Sequence, residues 1–364
     1  MPSYQLTISP NYVPAWGVNE ALRELFQNGI DRENEAKESK FHISYDPLAR
    51  HLTLGNPDTY LHKRTLLLGE TTKDGKSTIG KYGEGYKLAL LVLLRCGCRI
   101  TIENGKEVWE PRIVKSRVFD SELVQIDVTK NKNESNGLFY YLDGITPVHY
   151  SSFQDQCLLF DPERKVVDTR QGEILLDEKY AGKVYCNTLL VCTVDNLMYG
   201  YNMKPAYLSL DRDRKKVSEF NLTWETSRMW AESSVDHIAL SKMLKANAID
   251  VGYYHTHAHK QGETYKKVCD MYHEDFLKTY GVHAVVCKTA EEVEVIKKKY
   301  KNLVPVIVPE KEYIYIRGCA SYSSRKLDTL DNETPESFVR SWLSSDRDEE
   351  KLLTEAKKWS YVLL

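Results

Sequence analysis

Apolar positions recur at helical spacing across residues 18–33, with Leu22, Leu25, Phe26 and Gly29 on one side of the wheel. Pro10 and Pro14 punctuate the approach, which reads as irregular. Alternation of period two follows at 41–45 and 51–54, predicting two strands divided by the turn signal Asp46-Pro47. A stretch rich in Gly, Lys and Thr, residues 69–85, leads straight into an apolar helix over 86–95. Residues 98–103 and 107–109 read as a hairpin around Asn104-Gly105, and 112–118 and 122–128 extend the same sheet.

Lys, Asn, Glu and Ser dominate residues 129–137, which marks a connecting loop, and the first domain boundary is placed near residue 150. From there to about 220 the pattern is strand-rich, with 173–176 and 189–194 as candidates, and the remainder is more helical. Residues 283–287, 290–300 and 304–308 read as strand, helix and strand, the order of a right-handed βαβ crossover. The stretch 334–364 predicts one or two surface helices, with Pro335 suited to a first helical position. The expected fold class is α+β in three parts: 1–150, a strand-rich 151–220, and a small C-terminal α/β region over 221–364.

Composition narrows the picture. A chain of 364 residues, 42% hydrophobic and 28% charged, can bury a large core. Its 50 basic and 52 acidic residues give a net charge of −2, which excludes a generally cationic nucleic-acid coat protein. The apolar run 88–94 falls well short of the roughly 20 residues a membrane span needs. Residues 1–10 lack a charged segment followed by an apolar one, so the expectation is a cytoplasmic protein with no membrane partner. Eight scattered cysteines without a CxxC pair read as buried apolar residues rather than a disulfide framework.

Chemistry concentrates in two segments. On the first helix, Glu24, Asn28 and Asp31 fall within an arc of about 60°, opposite the apolar stripe. Their i+4 positions carry no lysine, whereas a solvated helix face usually interleaves signs; an ordinary polar face is the competing reading. The second segment is Ile79-Gly-Lys-Tyr-Gly-Glu-Gly-Tyr-Lys87. Glycines before a helix N-terminus let backbone N–H groups approach an anion, and Lys81 and Lys87 add charge. The segment is not a Walker A sequence, because no Gly-Lys-Ser/Thr ends it.

Together, Glu-x-x-x-Asn-x-x-Asp and, about fifty residues later, Ile-Gly-x-Tyr-Gly-x-Gly-x-Lys resemble the GHKL superfamily of ATPases. The glycine motif is most similar to those of MORC proteins and large heat-shock chaperones, and the resemblance covers roughly residues 15–130. It implies a Bergerat-type ATP-binding α/β sandwich, with ATP and Mg²⁺ as ligands. Asn28 would hold the metal and Glu24 would orient and deprotonate the attacking water. Asp31 would contact the nucleoside or the lid. Gly80, Lys81, Tyr82, Gly83, Glu84, Gly85, Tyr86 and Lys87 would line the phosphates, and Thr71, Thr72 and Lys73 resemble the polar entry to the lid. The family usually carries Asp-x-Gly-x-Gly after the second strand, where the aspartate reads the adenine amino group. Here Gly55 stands in that place by position, with Asn56 or Asp58 as substitutes.

The resemblance also implies that 151–220 is a transducer-like domain whose cation reaches the γ-phosphate, with Lys204, Arg212 and Arg214 as candidates. His255, His257 and His259 would share one face of a strand and suit a transition metal, against a default of ordinary polar histidines. The expected function is Mg²⁺-dependent ATP hydrolysis whose lid closure drives domain movement or homodimerisation. The alternative is a nucleotide-dependent regulator with little turnover, acting on a protein or DNA partner. A sensor-type kinase fits less well, because no helix with a phosphoacceptor histidine precedes the first motif.

Overall fold

A computed structural model describes residues 2–67, 84–117, 120–209, 217–233, 237–260 and 262–323. The chain divides into two compact units, Met1–Met229 and Trp230–Leu364. The class is α+β, as the sequence predicts.

The first unit is built on a seven-stranded antiparallel sheet. Its strands are β1 (Ser3–Leu6), β2 (His42–Asp46), β3 (His51–Pro57), β4 (Arg99–Asn104), β5 (Glu107–Ser116), β6 (Ser121–Lys130) and β7 (Gly137–Asp143), in the spatial order β1-β6-β5-β4-β7-β3-β2. Successive side chains of a strand face opposite sides. Register then lines up Leu52, Leu142 and Ile100 in one inward row and Leu54, Tyr140, Ile102 and Trp109 in the next. All are buried. The third inward row breaks the apolar pattern: Asn56, Leu138 and Asn104.

Two helices cover this face, α1 (Val18–Glu35) and α2 (Gly85–Arg95), packed on each other and on the sheet. Helix α1 buries Ala21, Leu22, Leu25, Phe26, Gly29 and Ile30, the stripe its periodicity predicts. Helix α2 buries every residue from Tyr86 to Leu93, as an all-round apolar helix between a sheet and another helix must. Arg95, at its last turn, donates to the carbonyls of Pro10, Tyr12, Val13 and Trp16 at 2.8–3.1 Å. That clamp orders the proline-punctuated approach to α1. At the start of α1, the Gly17 N–H donates to Glu20 Oε2 at 2.8 Å, one half of a capping box.

Helix α3 (Pro147–Gln154) packs on α1, with the Phe153 ring tilted against that of Phe26 at 4.4 Å between centroids. Beyond it a mixed sheet forms from β8 (Val166–Asp168), β9 (Gly172–Leu175), β10 (Lys183–Cys186), β11 (Leu189–Thr193) and β12 (Gly200–Met203), ordered β11-β10-β12-β9-β8. Helix α4 (Glu219–Glu232) then runs across the division between the units.

The second unit contains α5 (His237–Lys245), α6 (Tyr254–His257), α7 (Glu263–Tyr280), β13 (Ala284–Cys287), α8 (Ala290–Lys299), β14 (Val304–Ile307), α9 (Glu310–Gly318) and α10 (Ala320–Ser323). Strands β13 and β14 pair in parallel across α8, the strand–helix–strand unit that the sequence predicts. The strand expected at His255–His259 is instead the short helix α6, so those imidazoles do not share a strand face. Among the described residues no group of three or more His, Cys, Asp or Glu side chains is placed to hold a metal ion. All eight cysteines are free.

Candidate functional site

Glu24, Asn28 and Asp31 rise along α1 as the wheel predicts, but the row is not a solvated one. Glu24 and Asn28 are half-buried, and Asp31 is fully buried. The Glu24 carboxylate lies directly against the backbone of Gly85, the first residue of α2. A Cβ added at residue 85 would overlap Glu24 Oε2 and stand 3.0 Å from its Cδ. Only glycine lets a carboxylate approach the backbone of this helix start so closely. Two segments about sixty residues apart in sequence are therefore joined at one point.

The first turn of α2 also grips the chain leading up to residue 67. The Tyr86 hydroxyl donates to the Thr65 carbonyl at 2.8 Å and lies 3.2 Å from Thr65 Oγ1. Burial pushes its pKa up to about 12, against a smaller downward pull from the Thr65 hydrogen bond. Lys87 is fully buried, and its ammonium donates to the Leu67 carbonyl. The sequence reading placed Lys87 among the phosphate ligands; the structure places it inside, on a backbone carbonyl. Thr71, Thr72, Lys73, Gly80, Lys81, Tyr82 and Gly83 lie outside the described residues, as do Arg212 and Arg214. Glu84 is the N-cap residue of α2.

The polar row of the sheet forms the floor beside α1. Asn56 is 5% exposed, and its Nδ2 donates to the Gly29 carbonyl at 3.1 Å and to the Ser39 carbonyl at 3.0 Å. Both acceptors are carbonyl oxygens, which fixes the orientation of the amide. Asn104 holds Leu61 through both backbone groups, at 2.8 and 2.9 Å. Gly55 belongs to the opposite face, where a Cβ would stand 2.7 Å from Phe139 Cα. Strand alternation, with Leu52 and Leu54 inward, is the signal that points to Asn56 rather than Gly55 as the side chain facing α1. Asp58 is exposed, has a positive φ of 51°, and accepts from Asn136 Nδ2 at 3.0 Å. Lys204 follows β12 and donates to the Arg170 carbonyl at 2.9 Å.

The family model for the Mycoplasma pneumoniae MPN635 N-terminal domain matches residues 149–235, which span the second sheet and α4 and leave the Glu24–Gly85 junction outside. An uncharacterized protein of Mycoplasma pneumoniae is 23% identical over 218 residues, which are 56% of this chain and 86% of that protein. Among solved structures, the ATPase region of Saccharomyces cerevisiae topoisomerase II bound to ICRF-187 (dexrazoxane) aligns with a TM-score of 0.40 and 10% identity, over 66% of this chain and 86% of that chain. A second structure of the same region gives a TM-score of 0.39 and 9% identity, over 63% and 84%. Likeness at that level places no residue and assigns no activity. No helix among the described residues is long and apolar enough to cross a membrane.

Proposed function

We propose that this protein binds and hydrolyses ATP with Mg²⁺ in a GHKL-type, Bergerat-fold site between α1 and α2. The observation that carries the proposal is the Glu24 carboxylate seated against Gly85 at the start of α2. A helix N-terminus attracts phosphate oxygens, and a carboxylate beside it is in reach of a water aligned on the terminal phosphorus. Glu24 orients that water and takes its proton.

Asn28 lies one turn along from Glu24 and offers a carboxamide oxygen. That donor suits Mg²⁺, a hard cation that takes few protein oxygens and keeps the rest of its shell for water and phosphate. Bound there, the metal would supply neutralisation of phosphate charge. The backbone N–H groups at the start of α2 hold phosphate oxygens, and the buried Lys87 supports the segment they follow.

Base reading falls to Asn56. Both Nδ2 protons are taken by carbonyls, so the side chain has only an acceptor, Oδ1, to offer. An acceptor matches the amino group of adenine and opposes the carbonyl of guanine. ATP is accordingly preferred to GTP, and Asn56→Ala narrows the preference. In this reading 1–150 binds nucleotide, 151–220 acts as transducer with Lys204 as its described cation, and 221–364 is a C-terminal α/β region. Nucleotide-dependent closure over the phosphates drives domain movement or homodimerisation.

Mg²⁺-dependent phosphate release from ATP, compared between wild type and Glu24→Ala, tests the reaction. Loss of about 10²–10⁴-fold in turnover with binding kept supports Glu24 as the base. Equal rates would remove the hydrolase and leave a nucleotide-dependent binding protein.

A further inference from the structure

The second unit contains a cavity of about 550 Å³ that the proposed ATP site does not use. That volume lies in the range of about 300–1,000 Å³ common to small-molecule sites. Ala248, Ile314 and Tyr315 give it apolar wall, and Asn247, His255 and Lys311 bring polar groups to it.

Among those polar groups Lys311 is the obligate donor. Lys311 enters from the first turn of α9, and its ammonium donates to the Leu244 carbonyl at 2.9 Å and to Asn247 Oδ1 at 3.2 Å. An ammonium has three protons, so these two bonds leave one for a further acceptor. Burial holds its pKa below the ordinary lysine value, the mark of a cation short of solvent. Glu310 also borders the cavity, but its carboxylate is engaged by Lys288 at 3.0 Å. Tyr315 is 1% exposed, and its hydroxyl is buried with no hydrogen-bond partner among the described residues.

We propose that this cavity binds a small organic carboxylate, its charge met by Lys311, with His255 as a further hydrogen-bond partner and its apolar body lying against Ala248 and Ile314. A ligand that presented only donors would leave the ammonium proton unanswered. A bare inorganic anion would leave the apolar wall uncovered. The proposal stands independently of the ATP reading, since every residue it uses lies in the second unit.

Calorimetric titration of the full chain with phenylacetate, and with phenylacetamide as its neutral isostere, provides the test. Saturable phenylacetate binding is expected, with the amide about tenfold or more weaker, because a charge-assisted bond is roughly twice as strong as a neutral one. Lys311→Met should lose a similar factor. The exposed His255→Ala serves as a control that leaves the fold in place and still lowers affinity. Absence of phenylacetate binding, equal binding of acid and amide, or affinity unchanged in both Lys311→Met and His255→Ala would overturn the proposal.

Discussion

A methyl group at residue 85 would occupy the space of the Glu24 carboxylate, so Gly85→Ala forces that carboxylate away from the helix start. The variant is expected to fold and to bind nucleotide, yet to lose about 10²-fold or more in turnover, the effect of misplacing a general base. Single-turnover hydrolysis beside equilibrium binding separates the two. Asn56 makes the complementary case, in which the cost falls on the fold. Asn56→Leu leaves the Ser39 carbonyl without this donor and strips a second one from the Gly29 carbonyl, which α1 already bonds, at about 1–3 kcal/mol for the buried group left open. Urea unfolding should show a lower midpoint with an unchanged slope, and a midpoint equal to wild type would refute the role of this amide as a floor tie.

Helices α1 and α2 depend on each other through packing and through one guanidinium. Arg95→Ala removes all four carbonyl bonds to the approach segment, including the one to Val13, a β-branched residue held at φ 48°. A loss of about 2–4 kcal/mol is expected from bonds made by a charged donor, read as a drop in the unfolding free energy. Both helices were legible because their periodicity is strong: α1 was expected over 18–33 and ends only two residues later, at Glu35. The β4–β5 hairpin and the β13–α8–β14 unit were equally visible as local patterns. Strand β1 was not, since four residues pairing with β6 leave no local signature. Strand β5 was read as two pieces because Pro111 interrupts it. The proline is tolerated because pairing with β4 stops at Trp109, and beyond it β5 pairs with β6 alone. In the candidate site, the carboxylate–amide row and its glycine partner were readable from residue type and spacing. The burial of Lys87 and the inward turn of Asn56 were not inferred, because the first depends on tertiary packing and the second on strand parity that Gly55 obscured.

At the scale of the whole molecule, many of the 24 tyrosines are buried rather than displayed. Burial raises Tyr86 and Tyr265 to about 12, and raises Tyr140 and Tyr315 further still. A raised tyrosine pKa favours the folded state while the unfolded hydroxyl stays protonated. The stabilisation is therefore complete below pH 10 and is lost as pH climbs from 10 through about 12. The tyrosinate absorbance of the buried tyrosines should rise together with loss of helical circular dichroism in that window; absorbance reaching that of all 24 well before unfolding would contradict the burial described. Of the two proposals, nucleotide in the first unit and a carboxylate in the second, the account rests on the first. Its most direct test is calorimetric titration of wild type and Asn28→Ala with a non-hydrolysable ATP analogue and Mg²⁺. The account predicts saturable binding to wild type that disappears in the variant. Failure of the folded wild-type protein to bind would contradict it and leave the α1–α2 junction as an interaction scaffold.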